Sequence, residues 1–200
     1  LYRSDRGGRP AMWELRLSDR HETRLAEMGP DMDWARLSPD GRSLVYQLRS
    51  QGGSINLWRS ELPSGRPRQI TFEPEFAGFA AWSPDGRWLA VQVKRGEGFQ
   101  VAVMPSDGGP LDVLTTGEGQ SWPYSWSRDG RQVAFAGFRD GLWNVFSVSR
   151  ESKRETRLTD YRRLNAYVRY PAWSPRDDQV VFEYAETTGY QLLQSLFTMA

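Results

Sequence analysis

Residues 81 to 91 read AWSPDGRWLAV: a tryptophan, a turn built on Pro and Gly, then an apolar run. The same arrangement stands at 36 to 46 (RLSPDGRSLVY), 125 to 135 (SWSRDGRQVAF) and 172 to 182 (AWSPRDDQVVF). The leucine or tryptophan that opens each copy recurs after 45, 44 and 47 residues (Leu37 to Trp82, Trp82 to Trp126, Trp126 to Trp173). A period of roughly 40–45 residues suits a supersecondary unit of four strands, so repeats decide the fold before any single element does.

The likeness continues past the turn. Gly41, Gly86 and Gly130 lead into RSLVYQL, RWLAVQV and RQVAFAG. Glycine-bearing loops follow (RSQGGS, KRGEG, FRDG), then INLWRSEL, FQVAVMPS and LWNVFSVS. Each copy closes on a short fourth run: PRQIT at 67 to 71, LDVLT at 111 to 115, TRLT at 156 to 159. Short β-favouring runs between tight turns, with no helical period, predict four strands per unit and an all-β propeller of four-stranded blades. Pro39 and Pro84 preset φ at the second turn position, and glycine takes the left-handed fourth. Arg128 replaces proline in the third copy, and Asp177 stands where glycine is expected in the fourth. Aspartate tolerates positive φ, so that turn is expected to be strained but kept. The repeated tryptophans, with Leu37 in the first copy, are expected to fill the gap between each blade and the next.

Shifting the first full copy back by 45 residues lays LYRSDRGG (1 to 8) on YQLRSQGG (46 to 53), Trp13 on Trp58 and Leu25 on Ile70. The expected organisation is one propeller domain over 1–200: a partial blade at 1–27, blades at 28–71, 72–116 and 117–160, and an incomplete blade at 161–200. The last stretch supplies a first strand, the turn, QVVFEYAE and YQLLQSLF, but no fourth run. Three, twelve and three strands make about four and a half blades, an arc of a larger ring of six to eight. Such an arc leaves sheet edges uncovered, an aggregation liability.

Composition narrows function by exclusion. Twenty-six Lys and Arg against 25 Asp and Glu leave a net charge of +1, which gives no global case for nucleic acid or an anionic membrane. Cysteine is absent, removing disulfides and thiol chemistry. No apolar run approaches the roughly 18 residues of a membrane span. No signal-peptide pattern opens the chain, which is expected to start in mid-element.

With the tryptophan before the turn and RLT or VLT after it, the four copies closely resemble the TolB-type, WD-like propeller repeat. WSPDGRWLAV fits best, and WSPRDDQVVF fits with its glycine lost. The final residues, GYQLLQSLFTMA, depart from the pattern. The resemblance implies a bacterial, non-catalytic module for protein or peptide binding, periplasmic or otherwise extracytoplasmic. Its alternative implication is the accessory propeller of a larger protein: a Ser/Thr protein kinase, a winged-helix regulator or a prolyl-oligopeptidase-type peptidase. In each the catalytic or DNA-binding domain lies outside the repeat.

The residues agree with that reading. The single histidine, His21, lies in SDRHETR, a polar turn with no motif-marked partner. No G-x-S-x-G elbow occurs, and RGEGF and TGEGQ lack the full glycine pattern of a phosphate loop. The turn aspartates Asp40, Asp85, Asp129 and Asp177 belong to separate copies, which favours turn-making over metal binding. The expectation is therefore no enzyme, cofactor or metal.

Propellers bind through the loops between blades and the start of each innermost strand. Here those segments are MGPDMDW, EPEFAGF, GEGQSWPY and DYRRLNAYVRY. They collect Trp34, Phe79, Trp122, Tyr124, Tyr161, Tyr167 and Tyr170, interleaved in the last with Arg162, Arg163 and Arg169. Aromatics and arginine dominate interface energetics, so these ten are the candidate contacts for an extended peptide or acidic loop. The plainer account folds the rings back on their own blades and leaves the arginines solvated. Nucleic acid is the weaker partner, because acidic loops such as EPEF flank the same face.

Overall fold

The computed structural model describes residues 2–6, 8, 10–27, 29, 31–63, 65–176, 179–188 and 191–199. Every element among them is a strand and none is a helix. Two compact units divide the chain, Leu1–Gly78 and Phe79–Ala200.

The first unit holds two antiparallel sheets. One runs β1 (Tyr2–Ser4), β2 (Ala11–Leu15), β3 (Glu22–Glu27); the other β4 (Met32–Leu37), β5 (Ser43–Arg49), β6 (Ile55–Glu61), β7 (Arg68–Gln69). Met12, Ala35, Leu44 and Tyr46 bury between them, with Leu37 and Trp58 packed alongside.

In the second unit, whose first strand begins two residues before the division, the strands are β8 (Ala77–Trp82), β9 (Trp88–Arg95), β10 (Gly98–Pro105), β11 (Asp112–Val113), β12 (Gln120–Trp126), β13 (Gln132–Arg139), β14 (Leu142–Ser149) and β15 (Glu155–Arg157). They form two antiparallel meanders joined by one parallel pairing, Phe99 with Gln120. A third meander follows: β16 (Ala166–Trp173), β17 (Val180–Thr188), β18 (Gln191–Met199). Despite the irregular sequence of its last residues, β18 pairs with β17 from Gln191 to Met199. Alternation along β13 separates two cores, since successive strand residues face opposite ways. Val133 and Phe135 join Trp126, Val101 and Leu114 on one face. Ala136 joins Val145, Val168 and Phe182 on the other.

The repeated turn is built the same way in three copies. Gly41, Gly86 and Gly130 have φ of 72, 70 and 70°, and each donates its N–H to the serine carbonyl three residues back (2.9, 2.9 and 3.0 Å). Arg128 in place of proline leaves the turn intact, because the serine and aspartate side chains carry it. Ser38, Ser83 and Ser127 each donate a hydroxyl to Asp40, Asp85 or Asp129 at 2.6 Å. The same serine oxygens accept the N–H of Ser43, Trp88 and Gln132. Asp177 of the fourth turn lies outside the described residues.

Those hydroxyl bonds hold the three carboxyls below the usual aspartate value, helped by the N–H of Arg42, Arg87 and Arg131. A group whose folded pKa is depressed adds stability above its unfolded pKa, which is about 3.9, and loses it as pH falls through the folded value. The melting temperature is therefore expected to drop as pH is lowered below about 4. Asp85→Asn should flatten that drop in thermal melts across pH. An unchanged profile would remove this carboxylate from the account.

The short fourth strands end for a shared reason. Ile70, Leu114 and Leu158 donate N–H to the carbonyls of Leu57, Val101 and Val145. The next residue then substitutes a hydroxyl for backbone: Thr71, Thr115 and Thr159 Oγ1 accept the N–H of Leu57, Val101 and Val145 at 2.8, 2.9 and 2.9 Å. The same hydroxyls donate to Asn56, Gln100 and Asn144. The Leu-Thr ending is thus a buried polar clasp.

The tryptophans depart from expectation in direction and depth. Trp126 is 6% exposed and packs back onto the preceding meander, its Nε1 donating to the Ala81 carbonyl at 3.0 Å. Trp173 likewise joins the core shared with the preceding meander, half-buried, its Nε1 without a hydrogen-bond partner among the described residues. Trp82 and Leu37 are also half-buried. An inner strand's end is covered only as far as its neighbour reaches, so one repeat position does not mean one depth of burial.

Candidate functional site

Three of the ten candidate residues share a backbone conformation that aromatic side chains rarely adopt. Trp34, Phe79 and Tyr170 have φ of 49, 52 and 53°. Each stands three residues before the leucine or tryptophan of its turn, Leu37, Trp82 or Trp173. The ladder register slips there, between Asp33 and Arg36 in β4 and between Arg169 and Ala172 in β16. β12 slips between Pro123 and Ser125. Its equivalent residue is Pro123, which cannot take positive φ, and the ring comes from the next residue, the half-buried Tyr124. These are β-bulges on the inner strands, devices that re-aim a side chain. A left-handed non-glycine residue costs roughly 1–2 kcal/mol, a strain that collects at functional positions.

Within the first unit, Trp34 is half-buried beneath the Arg36 guanidinium, 4.4 Å from its ring centre. In the second unit six of the other candidates are linked through shared contacts. Phe79 packs on Trp122 at 4.9 Å, and Tyr124 meets the ring of Tyr170 edge-on at 5.3 Å. Trp122, Tyr124, Trp143 and Tyr167 line a cavity of about 180 Å³ floored by Ala136 and Val168, with Arg169 also in its lining. That is smaller than the roughly 300–1,000 Å³ of a drug-sized site and is sized for a side chain. The Arg169 guanidinium lies 4.3 Å over the Tyr167 ring.

The three arginines separate. Arg162 pairs with Asp160 at 2.8 Å and Arg163 with Glu186 at 2.6 Å, so a partner's carboxylate would have to displace one already there. Arg162 holds Asp160 below its usual range. Tyr161 stacks on Tyr184 at 4.5 Å, and burial raises its phenol pKa. Burial, then a hydrogen bond to Glu186, pushes Tyr184 up to about 12. Tyr161 thus fits the plainer account, a loop ring folded back on its own sheet.

Two residues outside the candidate set matter. Leu164 is 82% exposed and overhangs Gly141 in the β13–β14 turn. Trp143 lines the cavity from β14 and packs on Phe138 at 5.2 Å. Leu164 lies inside the quoted DYRRLNAYVRY loop, where its apolar character was the available sign. Trp143 was hidden because it sits in the third strand of its repeat.

Chemistry is sparse elsewhere. His21 is exposed in its turn, with its N–H on Asp19. Among the described residues no group of three His, Cys, Asp or Glu is placed to hold a metal. No helix there is long and apolar enough to cross a membrane.

No family model matches the chain. An uncharacterized protein of Agrobacterium fabrum is 32% identical over 143 residues, 71% of this chain and 43% of that protein. An uncharacterized peptidase of Bacillus subtilis, YuxL, is 29% identical over 147 residues, 74% of this chain and 21% of the peptidase. The crystal structure of TolB from Acinetobacter baumannii superposes with a TM-score of 0.76 at 22% identity, over 98% of this chain and 48% of TolB. The fold is that of the TolB-type propeller repeat. The chain spans less than half the length of each of these three proteins.

Proposed function

We propose that the chain is a non-catalytic binding module of the TolB type, an arc of about four and a half four-stranded blades from a larger propeller. It works outside the cytoplasm and takes a protein or peptide partner through the aromatic end of its second unit. The observation that supports this most is the packing of Phe79 on Trp122 and of Tyr124 on Tyr170 from inner strands, of which β12 and β16 are bulged, with Leu164 exposed in the loop that leads into β16. Exposed apolar side chains such as Tyr170 and Leu164, on β16 and the loop before it, suit an interface core better than a solvated surface.

A second reading has one observation in its favour, the likeness to a peptidase, of which this chain matches about a fifth. There the same surface would face a catalytic domain of one polypeptide. A photoreactive residue placed at Leu164 tests the first reading, with Arg131 in the third turn as control. A separate partner is expected to be trapped from position 164 and not from 131. Equal trapping at both positions, or none, would count against it, and an intramolecular crosslink in the complete polypeptide would favour the second.

A further inference from the structure

We infer that the cavity between β12, β14 and β16 selects an extended, acidic segment, seating one aromatic side chain among Trp122, Tyr124, Trp143 and Tyr167 and pairing a nearby carboxylate with Arg169. The inference rests on the binding reading above and names the chemistry of the partner. Four rings line a space sized for a side chain, and only Arg169 in that lining is charged. Aromatic rings pair edge-to-face or offset, as Tyr124 and Tyr170 already do, so a further ring finds favourable geometry there.

Charge complementarity singles out the carboxylate. Asp160 and Glu186 neutralise Arg162 and Arg163, whereas no ion pair of Arg169 occurs among the described residues. Glu183 is the residue opposite Arg169 in the ladder. Arg169 is exposed and stacked on Tyr167, which leaves the edge of its planar guanidinium, the part that binds carboxylates, turned to solvent. An extended chain puts residues i and i+2 on one face. The matching segment therefore carries its carboxylate two residues from its aromatic side chain.

Three short fluorescent peptides, alike except at two positions, test this on the full chain by anisotropy. One carries Phe-Ser-Glu, one Phe-Ser-Gln and one Ala-Ser-Glu. The first is expected to bind about tenfold more tightly than either of the others. Arg169→Gln should abolish the difference between the Glu and Gln peptides while leaving Phe preferred over Ala. Equal binding of the Glu and Gln peptides, or of the Phe and Ala peptides, overturns the inference, as does absence of binding by all three. If the peptides fail but position 164 still traps a partner, this selectivity is wrong and the binding reading stands. If both fail, the binding reading falls with it.

Discussion

Trp126→Ala is expected to lower unfolding free energy by about 3–5 kcal/mol, the range for emptying a buried aromatic site. Trp126 is almost wholly buried, and its neighbours Val133 and Phe135 lie on β13, which is paired on both sides, while Ala81 lies on β8, held by β9. They have little room to collapse into the space. The substitution also leaves the Ala81 carbonyl without the indole N–H it accepts. Urea denaturation measures the loss, with the half-buried Trp82→Ala as comparison and a smaller cost expected there. Equal costs at the two positions would mean that depth of burial does not govern the repeat.

Thr115→Val follows in size. The change keeps the shape of the side chain and removes only the hydroxyl, whose oxygen accepts from Val101 and whose proton goes to Gln100. Thr115 is 0% exposed, so water cannot replace either bond without opening the meander. A buried group left unpaired costs roughly 1–3 kcal/mol, and a loss of about 2 kcal/mol is expected in the same denaturation assay. Thr115→Ser keeps the oxygen and should cost clearly less. If serine and valine cost the same, the methyl contact and not the hydrogen bond is what the position supplies.

Strand after strand could be read from the amino-acid sequence because turn chemistry punctuates it: Ser-Pro-Asp-Gly and Asp140-Gly141 permit little but tight reversals. The Leu-Thr ending was visible as a repeated pair, yet its function was not. The clasp needs Asn56, Gln100 and Asn144, and Gln in one copy against Asn in two obscures them in a hydrophobicity pattern. The candidate site was legible by residue type. Its geometry was not, since the offset of three linking Trp34, Phe79 and Tyr170 to their turns gains meaning only once all three are found left-handed. Nor could sequence separate Arg169 from Arg162 and Arg163: one of their carboxylates, Glu186, lies 23 residues from its arginine. Pairing across a ladder is invisible until the register is known.

These bulges carry the central claim, that the second unit holds strained aromatics at its inner strands in order to present them. Tyr170 separates presentation from packing. It is 48% exposed, sits at φ 53° and has the edge contact with Tyr124. Tyr170→Gly relieves roughly 1–2 kcal/mol of backbone strain but loses about 0.5–1.5 kcal/mol of ring contact and the conformational restraint that any side chain places on the unfolded chain. Those terms nearly cancel, so stability should change by less than about 1 kcal/mol. The most direct measurement is the affinity of Tyr170→Gly for the partner trapped at position 164, taken beside its melting temperature. Affinity is expected to be at least about tenfold weaker with melting almost unchanged. Unchanged affinity, or a loss that tracks a fall in melting temperature, would contradict the claim.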